Sequence, residues 1–308
     1  MVGVLIGFAI IAFVIAVGYL IGRIGILGPT AGATLSRLAF FVLNPALLFT
    51  VLAEADLDSL FSELLPIAVI VATLNLVAFA VIALVAWRRP VPEATIGALA
   101  AAYSNATNMG VPISAYVLGD VSTSAPVILF QLIVISPIAL TVLDLGTSGK
   151  ISVGRIVLQP VRNPLIVASA LGLGVALSGL TIPDDVMRPF ELIGGAAVPV
   201  ILIAFGMSLH GQRPLAVGSD RRGIVLATTL KMLAMPVAAW LFGRFVFGLD
   251  GHALFAAVAL AALPAGQNVY NFAQRYGRGE GLARDVVLLT TGLSLPALLV
   301  VAALLAPI

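Results

Sequence analysis

The chain reads as a succession of long apolar runs, each bounded by charge, glycine or proline rather than broken by strict alternation. Ten such runs predict ten spans, at roughly 2–22, 31–53, 64–87, 93–118, 123–146, 157–179, 188–209, 223–247, 251–275 and 283–307. About 20 apolar residues at 1.5 Å rise are enough to cross a bilayer as a helix. One span is interrupted. Its residues 103–117, YSNATNMGVPISAYV, place Asn105, Thr107, Asn108, Gly110 and Pro112 within eight positions of one another. In hydrocarbon, amides and freed backbone groups find no water to bond with, so such a segment must be packed in protein or line a wet cavity. It marks the site.

Composition agrees with the pattern. Of 308 residues, 61% are hydrophobic and 10% charged, and the mean hydropathy is +1.15. A soluble domain carries about 25% charged residues. The fold class is therefore an all-α integral membrane protein; a β-barrel would show short alternating segments. With no cysteine, disulfide and thiolate–metal chemistry are excluded. The first run has no basic residue before it and Arg23 after it, so it reads as a retained helix rather than a signal peptide.

Ten spans leave nine alternating loops, and the charges sort between them. Odd loops and their flanks carry Arg23, Arg37, Arg88, Arg89, Lys150, Arg155, Arg162, Arg213, Arg221, Arg222, Arg275, Arg278 and Arg284. The opposite side receives Arg188 and Arg244, together with Glu54, Asp56, Asp58, Glu63, Asp120, Asp184, Asp185, Glu191 and Asp250. The basic face is cytoplasmic by the positive-inside rule. This predicts a multi-pass protein of the plasma (inner) membrane with both termini extracytoplasmic.

The halves repeat. Pro29 and Pro45 are matched by Pro183 and Pro199, Gly18 by Gly172 and Gly25 by Gly179, all at an offset of 154; Asn75 and Arg88 fall on Lys231 and Arg244 at an offset of 156. Five spans in 1–150 and five in 151–308 predict two repeats of opposite orientation. Inverted repeats of this kind place a transport site near mid-membrane, where broken helices meet.

The repeat predicts a second broken helix in span nine, and 262–276, ALPAGQNVYNFAQRY, supplies it with Pro264, Gly266, Gln267, Asn268 and Asn271. Proline removes a donor and glycine relaxes the helix, which yields half-helices. Their N-terminal ends favour a carboxylate, and their C-terminal ends and amide oxygens a cation. Asn44, before Pro45 in span two, either faces the crossing or packs at a static kink, whereas Pro199 has no adjacent polar side chain and reads as packing. Lys231 lies well inside span eight, at a cost of about 2.5–3.5 kcal/mol. It either attracts an anion or takes a cation's place, or else snorkels to the interface. Tyr103 and Tyr270 flank the breaks; His210, His252 and Asp144 read as boundary residues. No phosphate loop, metal cluster or nucleophile–base pair is visible, so an enzyme is not expected.

The runs SNATNMGVPI, RNPLIV (162–167), VPVILIAFGMSL (198–209) and LPAGQNVYNFAQRY (263–276) together resemble the auxin efflux carrier family. That family includes plant PIN-type carriers and bacterial permeases for malate, malonate and related acids. The resemblance covers essentially the whole chain. It implies ten transmembrane helices in two inverted five-helix repeats, with helices 4 and 9 broken and crossing, an architecture like that of sodium/bile-acid symporters and sodium/proton antiporters. It further implies a scaffold of helices 1, 2, 6 and 7 and an elevator-like transport domain of helices 3–5 and 8–10. Asn105 matches the asparagine that holds a substrate carboxylate, Gly110 and Pro112 the helix-four break, and Pro264 and Gly266 the helix-nine P-x-G. Plant carriers have a second proline where this chain has Val269, and this chain adds Gln267 and Asn268.

The expectation is a secondary transporter of a small organic acid, with substrate contacts from Asn105, Asn108, Gly110, Pro112, Pro264, Gly266, Gln267, Asn268, Asn271, Lys231 and Asn44. No cofactor is expected beyond a candidate sodium ion at Thr107, Asn108, Gln267 and Asn268. The partners expected are the bilayer and the substrate, not nucleic acid, with a homodimer left open. A sodium symporter, a cation/proton antiporter and a non-transporting receptor are the rival readings.

Overall fold

A computed structural model describes residues 2–54, 63–148, 163–210 and 220–306. Among these residues the regular structure is helical, without strands. The helices are α1 (Val2–Ile24), α2 (Ala31–Ala53), α3 (Leu64–Ala86), α4 (Val91–Ala102), α5 (106–118), α6 (Val121–Thr147), α7 (Pro164–Ser178), α8 (Asp184–Ser208), α9 (Arg221–Val246), α10 (Gly251–Ala261), α11 (Gln267–Tyr276) and α12 (Glu280–Leu305). Seven of them are long and apolar enough to cross a membrane, while α4, α7 and α10 are shorter apolar helices. Large apolar side chains such as Phe13, Val85, Leu192 and Leu304 point outward with more than two thirds of their surface exposed. Lipid makes that exposure favourable. The start expected for span six, and Asp56, Asp58, Lys150, Arg155, Arg162 and Arg213 of the charge sorting, lie outside the described residues.

Proline shapes the helices without always ending them. In α2 the turn Ala39–Leu43 widens so that the N–H of Asn44 reaches back to the carbonyl of Ala39. The wider turn makes room for Pro45, which would otherwise clash one turn back. Helices α1 and α8 pack backbone to backbone. A Cβ on Gly18 would strike the carbonyl of Ile203, and one on Gly206 the carbonyl of Ile15. Small residues permit such approach where lipid supplies no hydrophobic drive between helices.

Apolar cores join the helices, and one of them, with Phe8, Leu48, Val198, Val111, Phe255 and Leu298, brings α1, α2 and α8 against α5, α10 and α12. Helix α1 lies on α8, and the second half of α2 lies against α7 and the start of α8. Helices α3, α4, α6, α9, α10, α11 and α12 share a separate apolar core around Phe79, Leu99, Leu143, Ile224 and Val286.

The ends of α3 and α9 repeat each other. Trp87 N–H bonds to the carbonyl of Ile82 at 3.1 Å and Arg89 N–H to that of Ala83 at 2.9 Å; Phe247 and Leu249 do the same with Phe242 and Gly243 at 3.0 and 2.8 Å. Arg88 (φ 52°) and Gly248 (φ 67°) occupy the same left-handed position. The register here is 160 residues, so Arg88 aligns with Gly248 and not with Arg244 as expected. The shared turn fixes the alignment, whereas Arg244 sits one helical turn earlier and donates to the carbonyl of Leu249.

Between the end of α3 and the start of α9, Arg89 makes a two-pronged ion pair with Asp220, its second contact at 2.8 Å. Asp220 also caps α9 by accepting from the N–H of Gly223. Burial alone would raise the carboxyl of Asp220. The hydrogen bonds from Arg89 and Gly223 and the guanidinium charge outweigh it and hold the group below the usual carboxylate range.

Candidate functional site

Helix α4 stops at Ala102, and Tyr103–Asn105 run extended beside 264–266 from the other half. Asn105 donates its N–H to the carbonyl of Pro264 at 2.8 Å, and Gly266 donates its N–H to the carbonyl of Tyr103 at 2.8 Å. Ser104 and Ala265 therefore form an antiparallel bridge. Two helices are interrupted at one place, and each satisfies the backbone groups that the other frees. Unwound backbone at membrane depth requires this. Pro264 contributes a carbonyl where it could contribute no N–H. Gly266 is needed for space, because a Cβ there would lie 2.9 Å from Tyr103 Cδ1.

The interruption in the first helix lies at Tyr103–Asn105, not at Gly110 and Pro112. Both fall inside α5, buried. Pro112 follows a widened turn, Ala106–Gly110, in which the N–H of Val111 reaches back to the carbonyl of Ala106, the same device that seats Pro45 in α2. Gly110 instead admits Leu263, whose Cδ1 would lie 3.1 Å from an added Cβ.

Each broken helix presents one carbonyl end and one N–H end to the crossing. The carbonyl end of α10 is met by Lys231. Its ammonium donates to the carbonyl of Ala261 at 2.9 Å and to Ser104 Oγ at 2.9 Å, and lies 3.1 Å from Met235 Sδ. The side chain is fully buried and does not snorkel. When protonated, it sets a positive charge against the partial negative charge that a helix C-terminus carries. The N–H ends belong to α5, entered through Asn105, and α11, entered through Gly266.

Around these N–H ends lies a recess of about 40 Å³, lined by Tyr103, Ser104, Asn105, Thr107, Asn108, Gln131, Gly266, Gln267 and Asn268 among others. It shares Phe40, Asn108, Leu132, Gln267 and Asn268 with a larger cavity of about 1020 Å³. The larger cavity runs between α2 and α8 on one wall and α11 on the other, out to the α1–α2 turn at Gly25 and Gly28 and to His210. Asn271 and Phe272 complete the α11 wall. Tyr103 braces the recess: its hydroxyl lies 3.2 Å from Ser136 Oγ and accepts from Asn268 Nδ2 at 3.4 Å, with Phe272 edge-on to its ring.

The structure thus brings together Asn105, Thr107, Asn108, Gly266, Gln267, Asn268 and Asn271, with Pro264 at the bridge. It leaves Asn44 apart: buried in α2, lining neither cavity, with no partner for its Oδ1 among the described residues. Lys231 stands behind the crossing rather than in the recess.

Three further residues are not singled out by the sequence pattern. Gln131, buried in α6, lines the recess, and its Oε1 finds no hydrogen-bond partner among the described residues. An amide in the middle of span five was a readable signal, but no helix breaker accompanies it. Arg37 lines the larger cavity, although its sequence position suggests a solvated flank. Asp285, fully buried near the start of α12, accepts from Arg284 Nε at 2.8 Å. The described residues hold no cluster of three or more His, Asp or Glu side chains able to bind a metal.

Comparison with known proteins follows the same line. The profile of the family described as "Membrane transport protein" matches residues 4–151 and 150–302. A protein of Rhizobium meliloti (strain 1021) named "Putative malonate transporter" is 27% identical over 290 residues, which is 91% of this chain and 89% of that protein. An "Uncharacterized transporter" of Methanothermobacter thermautotrophicus is 30% identical over 64% of this chain and 65% of its own. The "Probable auxin efflux carrier component 5b" of Oryza sativa subsp. japonica is 32% identical over 46% of this chain and 39% of its own. The chain belongs to the membrane transport protein family, to which the auxin efflux carriers are related, and is a multi-pass transmembrane transporter.

Proposed function

We propose that this transporter is a secondary carrier of a small organic anion, whose carboxylate sits in the recess at the crossing of the two broken helices. The observation that carries the reading is the pairing of two helix N-terminal ends, α5 and α11, around one recess. Both ends carry partial positive charge and free N–H groups, and the amides of Asn105, Asn108, Gln267 and Asn268 add donors. Among the described residues no acidic side chain lines the recess or the larger cavity. The name of the Rhizobium relative, which refers to malonate, supports a small carboxylate.

The fold reading that goes with this function is ten membrane helices in two inverted five-helix repeats. The antiparallel bridge between Ser104 and Ala265 and the repeated turn at an offset of 160 support it. Helices α1, α2, α7 and α8 form the scaffold, and the remaining helices the domain that moves against it. The larger cavity opens toward the α1–α2 turn, on the face the basic residues favour. In the plasma membrane, with both termini outside, this corresponds to an inward-open state.

Sodium at Thr107, Asn108, Gln267 and Asn268 does not fit the donor set. All four side chains stand on the first turns of α5 and α11, where the helix ends are positive. At the carbonyl end of α10, the place a cation would favour, the ammonium of Lys231 already sits. A cation/proton antiporter needs a titrating acid at the crossing; the recess offers amides instead.

The test is a thermal-unfolding screen of the purified chain with monocarboxylates, dicarboxylates and indole acids, with and without sodium. A ligand at about 100 times its dissociation constant stabilises the native state by about 2.7 kcal/mol. The expected result is a rise in Tm with a small carboxylate, independent of sodium. Stabilisation by sodium alone, or by no carboxylate, contradicts the proposal.

A further inference from the structure

Resting on the carboxylate reading of the recess, we infer that Arg37 forms a second anion subsite, so that the cavity takes a short aliphatic dicarboxylate with one carboxylate in the recess and the other on this guanidinium.

Arg37 lies seven residues into α2, a membrane-spanning helix. Charged side chains at such positions face water-filled cavities and mark substrate paths. Ala33, Ser36, Arg37, Phe40 and Phe41 all line the larger cavity. Their spacing of three and four residues makes one helical stripe, so Arg37 belongs to the cavity wall rather than to the outer flank. Phe40, one turn deeper, also lines the recess at the crossing. One turn is about 5 Å along the helix, so Arg37 lines the wall between the mouth at Gly25 and Gly28 and the recess.

Among the described residues its charge is uncompensated. Arg37 is the only Arg, Lys, Asp or Glu among the described residues lining the cavity, and it takes part in no ion pair among them. Of the stretches outside the described residues, 149–162 and 211–219 contain no Asp or Glu, whereas 55–62 contains Asp56 and Asp58. The recess itself offers only neutral donors and helix ends, enough for one carboxylate. A cavity whose described lining holds one arginine and no acidic side chain, within low-dielectric walls, concentrates anions. The planar fork of an arginine matches a carboxylate with two parallel hydrogen bonds, which a lysine does not reproduce. A monocarboxylate can use the recess or Arg37, but not both at once. The second carboxylate is what Arg37 discriminates.

The experiment compares wild type, Arg37→Gln and Arg37→Lys, each reconstituted into liposomes, in counterflow of malonate and succinate against acetate and propionate. Losing a hydrogen bond to a charged group lowers affinity about 10- to 100-fold. Arg37→Gln is expected to raise the half-saturating concentration of the dicarboxylates by that factor and to change that of the monocarboxylates by less than about 2-fold. Arg37→Lys should restore part of the dicarboxylate affinity. Unchanged dicarboxylate handling in Arg37→Gln overturns the subsite, and so does equal loss for both classes, which would reflect general attraction or misfolding. A wild type that moves neither class overturns the carboxylate reading of the recess itself, and the subsite with it.

Discussion

Replacing Gly266 by alanine isolates the crossing from everything around it. The backbone at this position, with φ −72° and ψ 138°, suits any residue, so the substitution carries no conformational penalty. The added Cβ would lie 2.9 Å from Tyr103 Cδ1 and 3.2 Å from the carbonyl oxygen of Ser104. Neither neighbour can move freely. The Tyr103 ring is held by Ser136, Asn268 and Phe272, and Ser104 belongs to the antiparallel bridge. Overpacking of this kind costs about 1–3 kcal/mol. Separating the two extended segments also loses the Gly266-to-Tyr103 hydrogen bond, about 1 kcal/mol more. The expected loss is therefore about 2–4 kcal/mol in unfolding experiments in detergent, with weakened carboxylate binding. Gly292→Ala, mid-helix in α12 with nothing within 4 Å of the new Cβ, serves as the control and should gain about 0.5–1 kcal/mol. If Gly266→Ala unfolds and binds like wild type, the crossing is not tightly packed.

Lys231→Met keeps the volume but leaves the carbonyl of Ala261 and the hydroxyl of Ser104 without their donor. Each such loss costs about 1–3 kcal/mol, and relief of the buried ammonium offsets part of the total, so denaturation should show a net loss of about 2 kcal/mol; a variant as stable as wild type would mean the lysine is not the counter-charge of α10. Asp220→Asn retains the helix cap but removes the ion pair with Arg89, for a loss of at most about 1 kcal/mol given the partial exposure of the carboxylate. Because the folded carboxyl titrates below its ordinary value, this stabilisation is complete above the unfolded value and is lost as pH falls through the folded one. The stability difference between wild type and Asp220→Asn should thus be flat from about pH 5 to 8 and shrink below about pH 4; a difference that grows on acidification would contradict the sign.

Much of the architecture is legible in the chain because hydrocarbon leaves few alternatives. An apolar run of sufficient length becomes a helix, and amides inside such a run need a special place. The two interrupted segments were readable for that reason, and so was their meeting. Where the first helix breaks was not. Gly110 and Pro112 look like the breakers, yet the widened turn Ala106–Gly110 seats Pro112 within the helix, while Tyr103–Asn105 unwind because Pro264 and Gly266 offer backbone partners from the other half of the chain. Such a partnership is tertiary and leaves no local mark. The same holds for Lys231, whose choice between snorkelling and burial depends on the carbonyl of Ala261 being left bare by a break in another helix. Arg37 reads as a flank charge because sequence distance from a helix end does not tell which side of the helix meets water. Asn44, flanked by proline and polar in an apolar run, carries the same signal as Asn105 but packs away from both cavities.

The recess at the crossing is the proposed seat of the carboxylate of a transported anion. Uptake of radiolabelled malonate into liposomes containing wild type or Asn105→Ala tests it most directly, with thermal unfolding of both proteins as the measure of folding. Asn105 lines the recess and is nine-tenths buried. Removing an amide donor to a charged group should raise the half-saturating concentration about 10- to 100-fold, with Tm little changed. Malonate uptake by Asn105→Ala equal to that of wild type would contradict the account.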